Sequence, residues 1–318
     1  MRLDAAESAG RRALREVLTD HPVGAPVVLG VSGGADSLAL AAVAAFVARG
    51  DGRPVRAVVV DHGLQEGSAA VAVRAAEQVR RLGLRADVVT VAVAGRPGGP
   101  EAAAREARRE ALLAAAGPDG VVVLAHTLDD QAETVLLGLG RGSGARSLAG
   151  MRPVDGPWRR PLLSLRRSDT ERICVLHDLA WWEDPHNLDP RFRRVRVRRE
   201  LLPLLDDVLG GGAAEALART ASLLRPDVDL LDQLADEVAP SDDVRTLAAL
   251  PPALRSRVLR RFVLGAGVTA GELGAGHLAE LDRLVTHWHG QVRVELPGGL
   301  SCSREGERLV VSPTPVAP

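Results

Sequence analysis

Along residues 1–140, short apolar runs alternate with longer segments in which apolar residues recur at helical spacing. The apolar runs predict four buried strands, at residues 26–31, 55–60, 86–93 and 121–125. The helical spacing predicts five helices, over residues 1–18, 37–49, 68–82, 101–116 and 129–139. Strands that are apolar throughout and alternate with helices predict an α/β fold with a parallel sheet covered on both faces. The functional site of such a sheet lies beyond the carboxyl ends of its strands.

The pattern changes after residue 140. Residues 141–200 are rich in Arg and in Gly and Pro turns, and residues 201–290 are again helical in pattern. Pro226, Pro240 and the pair Pro251-Pro252 are predicted to separate the helices of this region. Residues 291–312 alternate apolar and polar positions around two turns, which predicts a short antiparallel sheet. We therefore predict an α/β domain over residues 1–200 and a mostly helical domain over residues 201–318 with a short antiparallel β element.

Composition narrows the chemistry that the chain can carry. Hydrophobic residues make up 46% of the 318 positions and charged residues 25%, which is typical of globular proteins. All 40 basic residues are Arg, so neither a catalytic Lys nor a Lys-containing phosphate loop is available. The two cysteines, Cys174 and Cys302, form no CxxC pair, which excludes a disulfide framework and a four-thiolate metal site within one chain.

Charge and hydropathy bear on partners and location. The net charge of −1 means that any nucleic-acid surface must come from local clusters of Arg. Every hydrophobic stretch is interrupted before it reaches the length of a membrane span, and the first residues lack an apolar signal core. We therefore expect a soluble cytoplasmic protein without a membrane partner.

The most specific local motif is Ser32-Gly33-Gly34-Ala35-Asp36-Ser37, between the first predicted strand and its helix. Two glycines let the backbone approach a ligand closely, and the free N–H groups at a helix start attract phosphate. An Asp beside phosphates makes chemical sense with a cation, so Asp36 is a candidate Mg²⁺ ligand. The alternative is an ordinary helix start in which Ser32 or Asp36 caps the helix and nothing is bound.

The motif Ser32–Ser37 resembles the PP-loop of enzymes that cleave ATP to AMP and pyrophosphate. Four further segments, together with this loop, resemble the tRNA(Ile)-lysidine synthetase family over residues 26–200. They are Val60–Leu64 with its DHGL sequence, the helix Glu101–Arg108, the long segment Leu124–Met151, and Asp184–Arg196 with its DPHN sequence. This order and spacing of motifs is more specific than the phosphate loop alone.

The resemblance implies a reaction and its partners. ATP, with Mg²⁺, would adenylate the wobble cytidine of an isoleucine tRNA with a CAU anticodon. The amine of free L-lysine would then attack the activated base and displace AMP. A homodimer is compatible with the sequence. The residues implied in ATP binding are Ser32, Gly33, Gly34, Ala35, Asp36, Ser37, Asp61, His62 and His126. For both histidines, simple packing is an equally good interpretation.

Two further sets of residues are candidates for catalysis. Arg105 and Arg108 share one helix face, where they can stabilise charge on phosphates or on the activated base. The alternative is a surface salt bridge between Glu101 and Arg105. The family usually has an aromatic residue where this chain has Arg109, so the role of that position is open.

Asp130 and Glu133 lie three residues apart on one helix face. Two carboxylates there can hold the ammonium group of the incoming lysine and help to deprotonate its amine. A structural role is also open, because Thr127 and Asp130 have the spacing of a capping box at a helix start.

Clusters of Arg provide the candidate tRNA contacts. Arg141 and Arg146 flank a Gly-rich loop, and Arg191, Arg193, Arg194 and Arg196 belong to a run that is interleaved with Phe192. Each cluster can also be a solvated surface. Trp181 and Trp182 are expected to pack rather than to stack on a base.

Two other classes of function remain open. Another PP-loop tRNA-modifying enzyme, such as a cytidine thiolase, is disfavoured because neither cysteine has a partner or lies in a predicted sheet motif. A non-catalytic RNA-binding protein with a degenerate nucleotide site is disfavoured by the intact loop Ser32–Ser37 and the pair Asp130 and Glu133.

Overall fold

The computed structural model describes residues 4–63, 65, 67–93, 99–142, 144–238, 241–269 and 271–314, and for Pro100 and Glu101 the backbone alone. Leu64 of the DHGL sequence, Ser143 of the Gly-rich loop and Pro240 lie outside the described residues, as does the side chain of Glu101.

The elements follow the predicted order. The helices are α1 (Ala5–Val17), α2 (Ala35–Asp51), α3 (Ser68–Arg81), α4 (Gly99–Ala116), α5 (Leu128–Gly140), α6 (Ala145–Leu148), α7 (Arg167–Leu176), α8 (Arg193–Arg196), α9 (Leu202–Leu209), α10 (Ala213–Glu237), α11 (Val244–Ala249), α12 (Pro252–Gly265) and α13 (Ala275–Thr286). The strands are β1 (Val27–Val31), β2 (Val55–Asp61), β3 (Arg85–Thr90), β4 (Val121–Val123), β5 (Val154–Asp155), β6 (Trp158–Arg159), β7 (Val294–Leu296), β8 (Leu300–Glu305) and β9 (Arg308–Pro313). One π-helical turn, Val197–Leu201, joins α8 to α9.

The main sheet has the strand order β3-β2-β1-β4-β6-β5. All neighbours are parallel except β5, which pairs antiparallel with β6 at the edge. The chain moves outward from β1 to β2 and β3 on one side and then returns to place β4 on the other side of β1. Such a reversal opens a crevice at the carboxyl ends of the two central strands, here β1 and β4. The predicted parallel α/β fold is confirmed.

Alternating side chains of the central strands enter two apolar layers, as the pleat of a strand requires. Val27, Leu29 and Val31 of β1 join the larger layer, which also contains buried residues of α1, α2, α3 and α7. Val28 of the same strand faces the other way and packs with Leu112 of α4. Because both faces of the sheet are covered by apolar layers, the sequences of these strands are apolar throughout and do not alternate between apolar and polar residues.

The chain divides into two compact units, which consist of residues 1–134 with 151–218, and of residues 135–150 with 219–318. The division falls inside α5 and inside α10. The second unit has its own apolar core, in which Leu247, Leu259 and Leu281 are fully buried, and it contains the antiparallel sheet β7-β8-β9. The predicted helical C-terminal region with a short antiparallel element is confirmed.

The prediction that Pro226 separates two helices is wrong, because this residue lies inside α10. A proline inside a helix costs about 3 kcal/mol. Ala221, Val228 and Ala235 follow one another at seven-residue spacing on both sides of the proline, and all three are buried. Burial of this continuous face keeps the helix intact. Pro251-Pro252 do separate α11 from α12, as predicted.

No helix within the described ranges is long and apolar enough to cross a bilayer.

We expect Leu40→Ala to lower the free energy of unfolding of the first unit by about 2–5 kcal/mol, because Leu40 of α2 is fully buried and its loss leaves a cavity. Urea denaturation followed by circular dichroism measures this. Val175→Ala is the matched control, since Val175 of α7 is 69% exposed and should change stability by less than about 0.5 kcal/mol. Equal losses in the two variants would contradict the proposed packing.

Candidate functional site

The phosphate loop lies at the amino end of α2, directly beyond β1. Its N-cap is Gly34, which makes no side-chain cap hydrogen bond, so neither Ser32 nor Asp36 caps the helix. The Ser37 hydroxyl donates to the carbonyl oxygen of Gly34 (2.9 Å) and accepts from the N–H of Ser32 (3.1 Å). Gly33 has a φ of +86°, a conformation that favours glycine. The loop therefore folds on itself and leaves the first turn of α2 uncapped, as an anion site requires.

Beside this loop, three carboxylates and three guanidinium groups form what we call the charge cluster: Asp36, Asp130, Glu133, Arg167, Arg194 and Arg198. Nε of Arg167 lies 3.5 Å from Oδ2 of Asp36, and a terminal nitrogen of the same side chain lies 3.4 Å from Oδ1 of Asp130. One guanidinium thus links the phosphate loop to α5. The Thr170 hydroxyl, buried on α7, also donates to Oδ1 of Asp36 (2.5 Å).

The other half of the charge cluster surrounds Glu133, whose side chain is fully buried. Nε of Arg198 donates to its Oε1 at 2.7 Å, and Nε of Arg194 lies 3.3 Å from its Oε2. Oε2 accepts no hydrogen bond from any residue that the structure describes. One acceptor of this carboxylate is therefore still available.

Burial and neighbouring charges move the pKa values of these acids in different directions. Burial raises the pKa of Asp36, although Arg167 and Thr170 oppose the shift. Burial also raises the pKa of Glu133, against the effect of Arg198. For Asp130, burial acts in the same direction but is outweighed by Arg167 and by the N–H of Thr127, so its pKa is lowered. Asp130 is therefore the carboxylate that holds its negative charge most firmly.

Thr127 and Asp130 form the capping box that their spacing predicted. The N–H of Thr127 donates to Oδ2 of Asp130 at 2.9 Å. Asp130 therefore caps α5 and belongs to the charge cluster at the same time. His126 precedes this cap, and its Nδ1 is buried without a hydrogen-bond partner among the described residues. Burial lowers the pKa of His126 to about 4, so the ring is neutral at pH 7.

A second group of charges lies at the carboxyl end of β2. Asp61 is buried and accepts a hydrogen bond from the N–H of Gly63. Burial and the charge of Arg108 lower the pKa of His62. The negative charge of Asp184, in the DPHN sequence, partly offsets this shift. The amide of Gln65 donates to Asp184 at 2.9 Å, so the DHGL and DPHN motifs come together.

Arg105 and Arg108 are both exposed on α4. The charge of Arg105 contributes to the lowered pKa of His126, after burial and the effects of Arg160 and Arg194. The guanidinium carbon of Arg109 lies 4.2 Å from the centroid of the Trp158 ring. Arg109, whose role the sequence left open, therefore stacks on an aromatic ring.

The Arg run 191–199 does not act as one surface. Arg191, Arg193 and Arg196 are exposed, and Arg196 pairs with Glu200 at 2.8 Å. Arg194, which we predicted to contact tRNA, faces Glu133 with its Nε, and its side chain is 42% exposed. Arg141 and Arg146 belong to the second unit, where both are exposed and Arg146 pairs with Asp232 at 2.7 Å.

Sequence reasoning missed Arg167, Thr170 and Arg198. Arg198 could have been found, because it follows Arg194 by four residues and shares its helix face. Arg167 and Thr170 lie on α7, in a region where no helix was predicted, and they had no motif to indicate them.

Both cysteines are free and buried, one in each unit. Burial raises the pKa of Cys174 to about 12, and its thiol donates to the carbonyl oxygen of Ala35. Burial likewise raises the pKa of Cys302 to about 12. Neither side chain is a nucleophilic thiolate at neutral pH.

Comparison with protein families gives two matches. A model described as a PP-loop domain matches residues 7–205. A second, described as the TilS substrate binding domain, matches residues 243–310.

Similar proteins carry the name tRNA(Ile)-lysidine synthase. The one from Mycobacterium tuberculosis (strain ATCC 25618 / H37Rv) is 54% identical over 293 residues, which is 89% of this chain and 86% of the relative. The one from Thermobifida fusca is 50% identical and covers 95% of this chain and 96% of its own. The one from Salinispora arenicola is 49% identical and covers 98% of both.

Among solved structures, the chain is similar in fold to the U34-tRNA thiolase NcsA from Methanococcus maripaludis with its [4Fe-4S] cluster. The TM-score is 0.56 at 18% identity, and the match covers 69% of this chain and 80% of the thiolase. At this level of identity the likeness supports the fold alone.

We expect Arg198→Met to destabilise the first unit by about 3 kcal/mol, because it leaves the buried Glu133 carboxylate without its nearest cation. The loss should shrink as the pH falls, since burial already raises the pKa of Glu133 and removal of Arg198 raises it further. Urea denaturation at pH 8 and pH 5 measures both effects.

Two variants serve as controls for this prediction. Adding Glu133→Gln to Arg198→Met should restore part of the lost stability, because the fully buried side chain at position 133 then carries no charge. Arg196→Met removes an exposed ion pair from the same helical segment and should cost less than about 1 kcal/mol. A loss in Arg196→Met as large as that in Arg198→Met would show that the buried charge is not the cause.

Proposed function

The chain belongs to the tRNA(Ile)-lysidine synthase family, and from that premise we propose that it ligates L-lysine to a tRNA base at the expense of ATP. In this reaction ATP adenylates O2 of the wobble cytidine C34 in tRNA(Ile) with a CAU anticodon, and pyrophosphate leaves. The lysine ε-amine then attacks C2, forms a C–N bond and displaces AMP. The observation that carries the proposal is that Arg167 joins Asp36 of the phosphate loop to Asp130 on α5, the helix that follows the neighbouring strand β4.

We assign ATP to the amino end of α2. The uncapped N–H groups of its first turn and the hydroxyl of Ser32 are donors for the phosphates, and the Ser37 hydroxyl becomes one when it turns away from the carbonyl oxygen of Gly34. His126 supports the assignment, because its buried Nδ1 has no partner within the described part of the chain and the ring is neutral. A neutral imidazole can form a hydrogen bond with the nucleotide without adding a positive charge to the site. Asp61 and His62 complete the proposed ATP site at the end of β2.

Asp36 fits a Mg²⁺ ion that is shared with phosphates. Mg²⁺ usually binds one or two carboxylates and keeps several water molecules, so it needs no cluster of protein ligands. The described residues contain no group of three or more such ligands. Asp36 retains 24% of its side-chain exposure and its pKa is raised by burial, so its charge is incompletely balanced. A bound Mg²⁺ would neutralise charge on the phosphates.

The charge cluster supports a site for the lysine amine. Arg167 and Arg198 lie 3.4 and 3.6 Å from Oδ1 of Asp130, which are long ion pairs that an ammonium group can replace. Oε2 of Glu133 still lacks a hydrogen bond, and the raised pKa of Glu133 makes it a better proton acceptor than Asp130. Asp130 would hold the ammonium group and Glu133 would take the proton. Arg105 and Arg108 would stabilise charge on the activated base.

We assign the tRNA backbone to the exposed arginines. Arg191, Arg193 and Arg196 present guanidinium groups on the first unit, and Arg141 and Arg146 do so on the second. Arg194 remains a candidate for the same contact, because its side chain is 42% exposed while its Nε faces Glu133.

Thiolation, the reaction of the structurally similar NcsA, is disfavoured. The two cysteines are too few to ligate a four-iron cluster, which takes four thiolates, and both thiols are buried with raised pKa values.

We expect purified protein with ATP, Mg²⁺, labelled lysine and tRNA(Ile) to release pyrophosphate and to add lysine to C34, as measured by mass analysis of the nucleosides. Asp36→Asn should reduce turnover about a hundredfold or more and leave the circular dichroism spectrum unchanged, because it removes the charge but keeps the side-chain shape. Pyrophosphate release without labelled tRNA would contradict the substrate assignment. If no pyrophosphate were released, the assignment of the protein as an ATP-cleaving enzyme would be contradicted.

We expect the double variant Arg193→Gln, Arg196→Gln to bind tRNA more weakly and to flatten the dependence of log K on log salt by about 1.4–1.8, since each lost phosphate contact reduces the slope by about 0.7–0.9. Filter binding between 50 and 200 mM salt, conditions in which such contacts dominate, measures the slope. The double variant Arg81→Gln, Arg172→Gln also loses two exposed arginines of the first unit and should keep the native slope. An identical slope in both variants would place the tRNA elsewhere.

A further inference from the structure

The phosphate loop is crossed by residues 179–182, which we call the crossing segment. The N–H of Trp182 donates to the carbonyl oxygen of Gly33 at 2.9 Å. The carbonyl oxygen of Trp182 lies 4.0 Å from the place that a Cβ on Gly34 would take. The crossing segment thus hydrogen-bonds to Gly33 and lies beside Gly34, the two glycines that shape the loop.

One side chain of α3 holds the backbone of the crossing segment. The amide of Gln78 donates through Nε2 to the carbonyl oxygen of Ala180 at 2.9 Å, and its Oε1 accepts from the N–H of the same residue at 2.7 Å. A primary amide presents one donor and one acceptor in a plane, so it pairs with a peptide backbone as a neighbouring strand would. Gln78 is buried, and the other buried residues of α3 are Ala72, Ala75, Ala76 and Val79.

Nothing else among the described contacts fixes the backbone of Ala180. Leu179 and Trp181 anchor their side chains in the large apolar layer, but Ala180 between them is exposed. A groove of about 680 Å³ runs beside the crossing segment, and Arg74, Trp181 and Trp182 are among the residues that line it. On that side the segment has no packed protein against it, so the paired hydrogen bonds of Gln78 carry the constraint.

The same helix also lies close beside the loop. A Cβ added to Gly33 would lie 3.3 Å from the Cβ of Ala75, one turn before Gln78 on α3. Ala75 thus supports Gly33 by limiting the space beside it, and Gln78 supports its carbonyl group through Ala180 and Trp182. The two supports act on the only part of the loop with a left-handed φ, where the backbone has most freedom to relax.

We propose that Gln78 is a positioning residue for ATP, which holds the crossing segment against Gly33 and so keeps the N–H groups of the phosphate loop aimed at the phosphates. The inference rests on the proposed ATP site. Preorganised donors bind more tightly because the loop does not have to be ordered on binding. Loss of Gln78 therefore weakens ATP binding, whereas the lysine site on α5 is unaffected.

The test replaces Gln78 with Met, which has a similar length but neither donor nor acceptor. We expect the dissociation constant for ATP, measured by calorimetry without tRNA or lysine, to rise about tenfold, which corresponds to about 1.4 kcal/mol. The KM for ATP should rise equally and the KM for lysine should stay within twofold. Gln78→Glu keeps the acceptor but loses the donor at pH 8. Its defect relative to the unmodified protein should shrink at lower pH, where the protonated carboxyl can donate to Ala180 again.

The chain offers a matched control in Gln131. Its amide makes the same pair of hydrogen bonds to the backbone of Met151, at 3.0 and 2.7 Å, and it is equally buried, but no hydrogen bond among the described residues joins Met151 to the phosphate loop. Gln131→Met should lose a similar amount of thermal stability and keep the ATP dissociation constant within twofold. A Gln78→Met protein with unchanged ATP affinity, or a Gln131→Met protein with equally weakened affinity, would overturn the proposal. If the unmodified protein bound no ATP, the proposed ATP site itself would fail and the inference with it.

Discussion

Backbone N–H groups at the start of a helix have no partners within that helix, and in this protein their position decides what the site can do. In the strand order of the sheet, β2 and β3 lie on one side of β1 and β4 lies on the other. The amino end of α2 follows β1 and so lies at this topological switch point. Gly34 provides no cap there, and Ser37 folds back on the loop instead of covering it. A chain that keeps these N–H donors exposed is suited to bind an anion. An anion bound at the uncapped end of α2 would lie next to the acids and arginines of the charge cluster.

The second constraint is the burial of charge. Glu133 is fully buried, and Asp130 and Asp36 are largely so, which is tolerable only because three guanidinium groups lie among them. A guanidinium carries five N–H donors in a plane and can face two carboxylates at once, as Arg167 does. Arginine can build such a network more readily than lysine, whose charge lies on a single ammonium group, and every basic residue of this chain is Arg. The network also ties α7 and the α8–α9 segment to the phosphate loop, so the proposed lysine site and the stability of the first unit depend on the same contacts.

The sequence predicted the parts of the fold that have strong periodicity. Continuous apolar runs predicted β1, β2 and β4, because strands buried on both faces leave no other pattern. The strands β5 and β6 were missed, since two residues each are too few to show a period. The prediction at Pro226 was wrong because the tendency of proline to end a helix was outweighed by the buried face of α10, which continues on both sides of this residue. Within the site, Asp36, Asp130 and Glu133 could be named from motifs, whereas Arg167 and Thr170 reach Asp36 only through tertiary packing. Arg198 was missed because the run of arginines hides which members share a helix face.

The central claim is that the turn between β1 and α2 binds the phosphates of ATP. The most direct measurement is a crystal structure of the protein with Mg²⁺ and a non-hydrolysable ATP analogue. The account predicts that phosphate oxygens lie within hydrogen-bond distance of the N–H groups of residues 34–37, with the cation on Asp36 and the base towards His126. A structure in which the nucleotide occupies another part of the molecule, and the amino end of α2 faces only solvent, would contradict it.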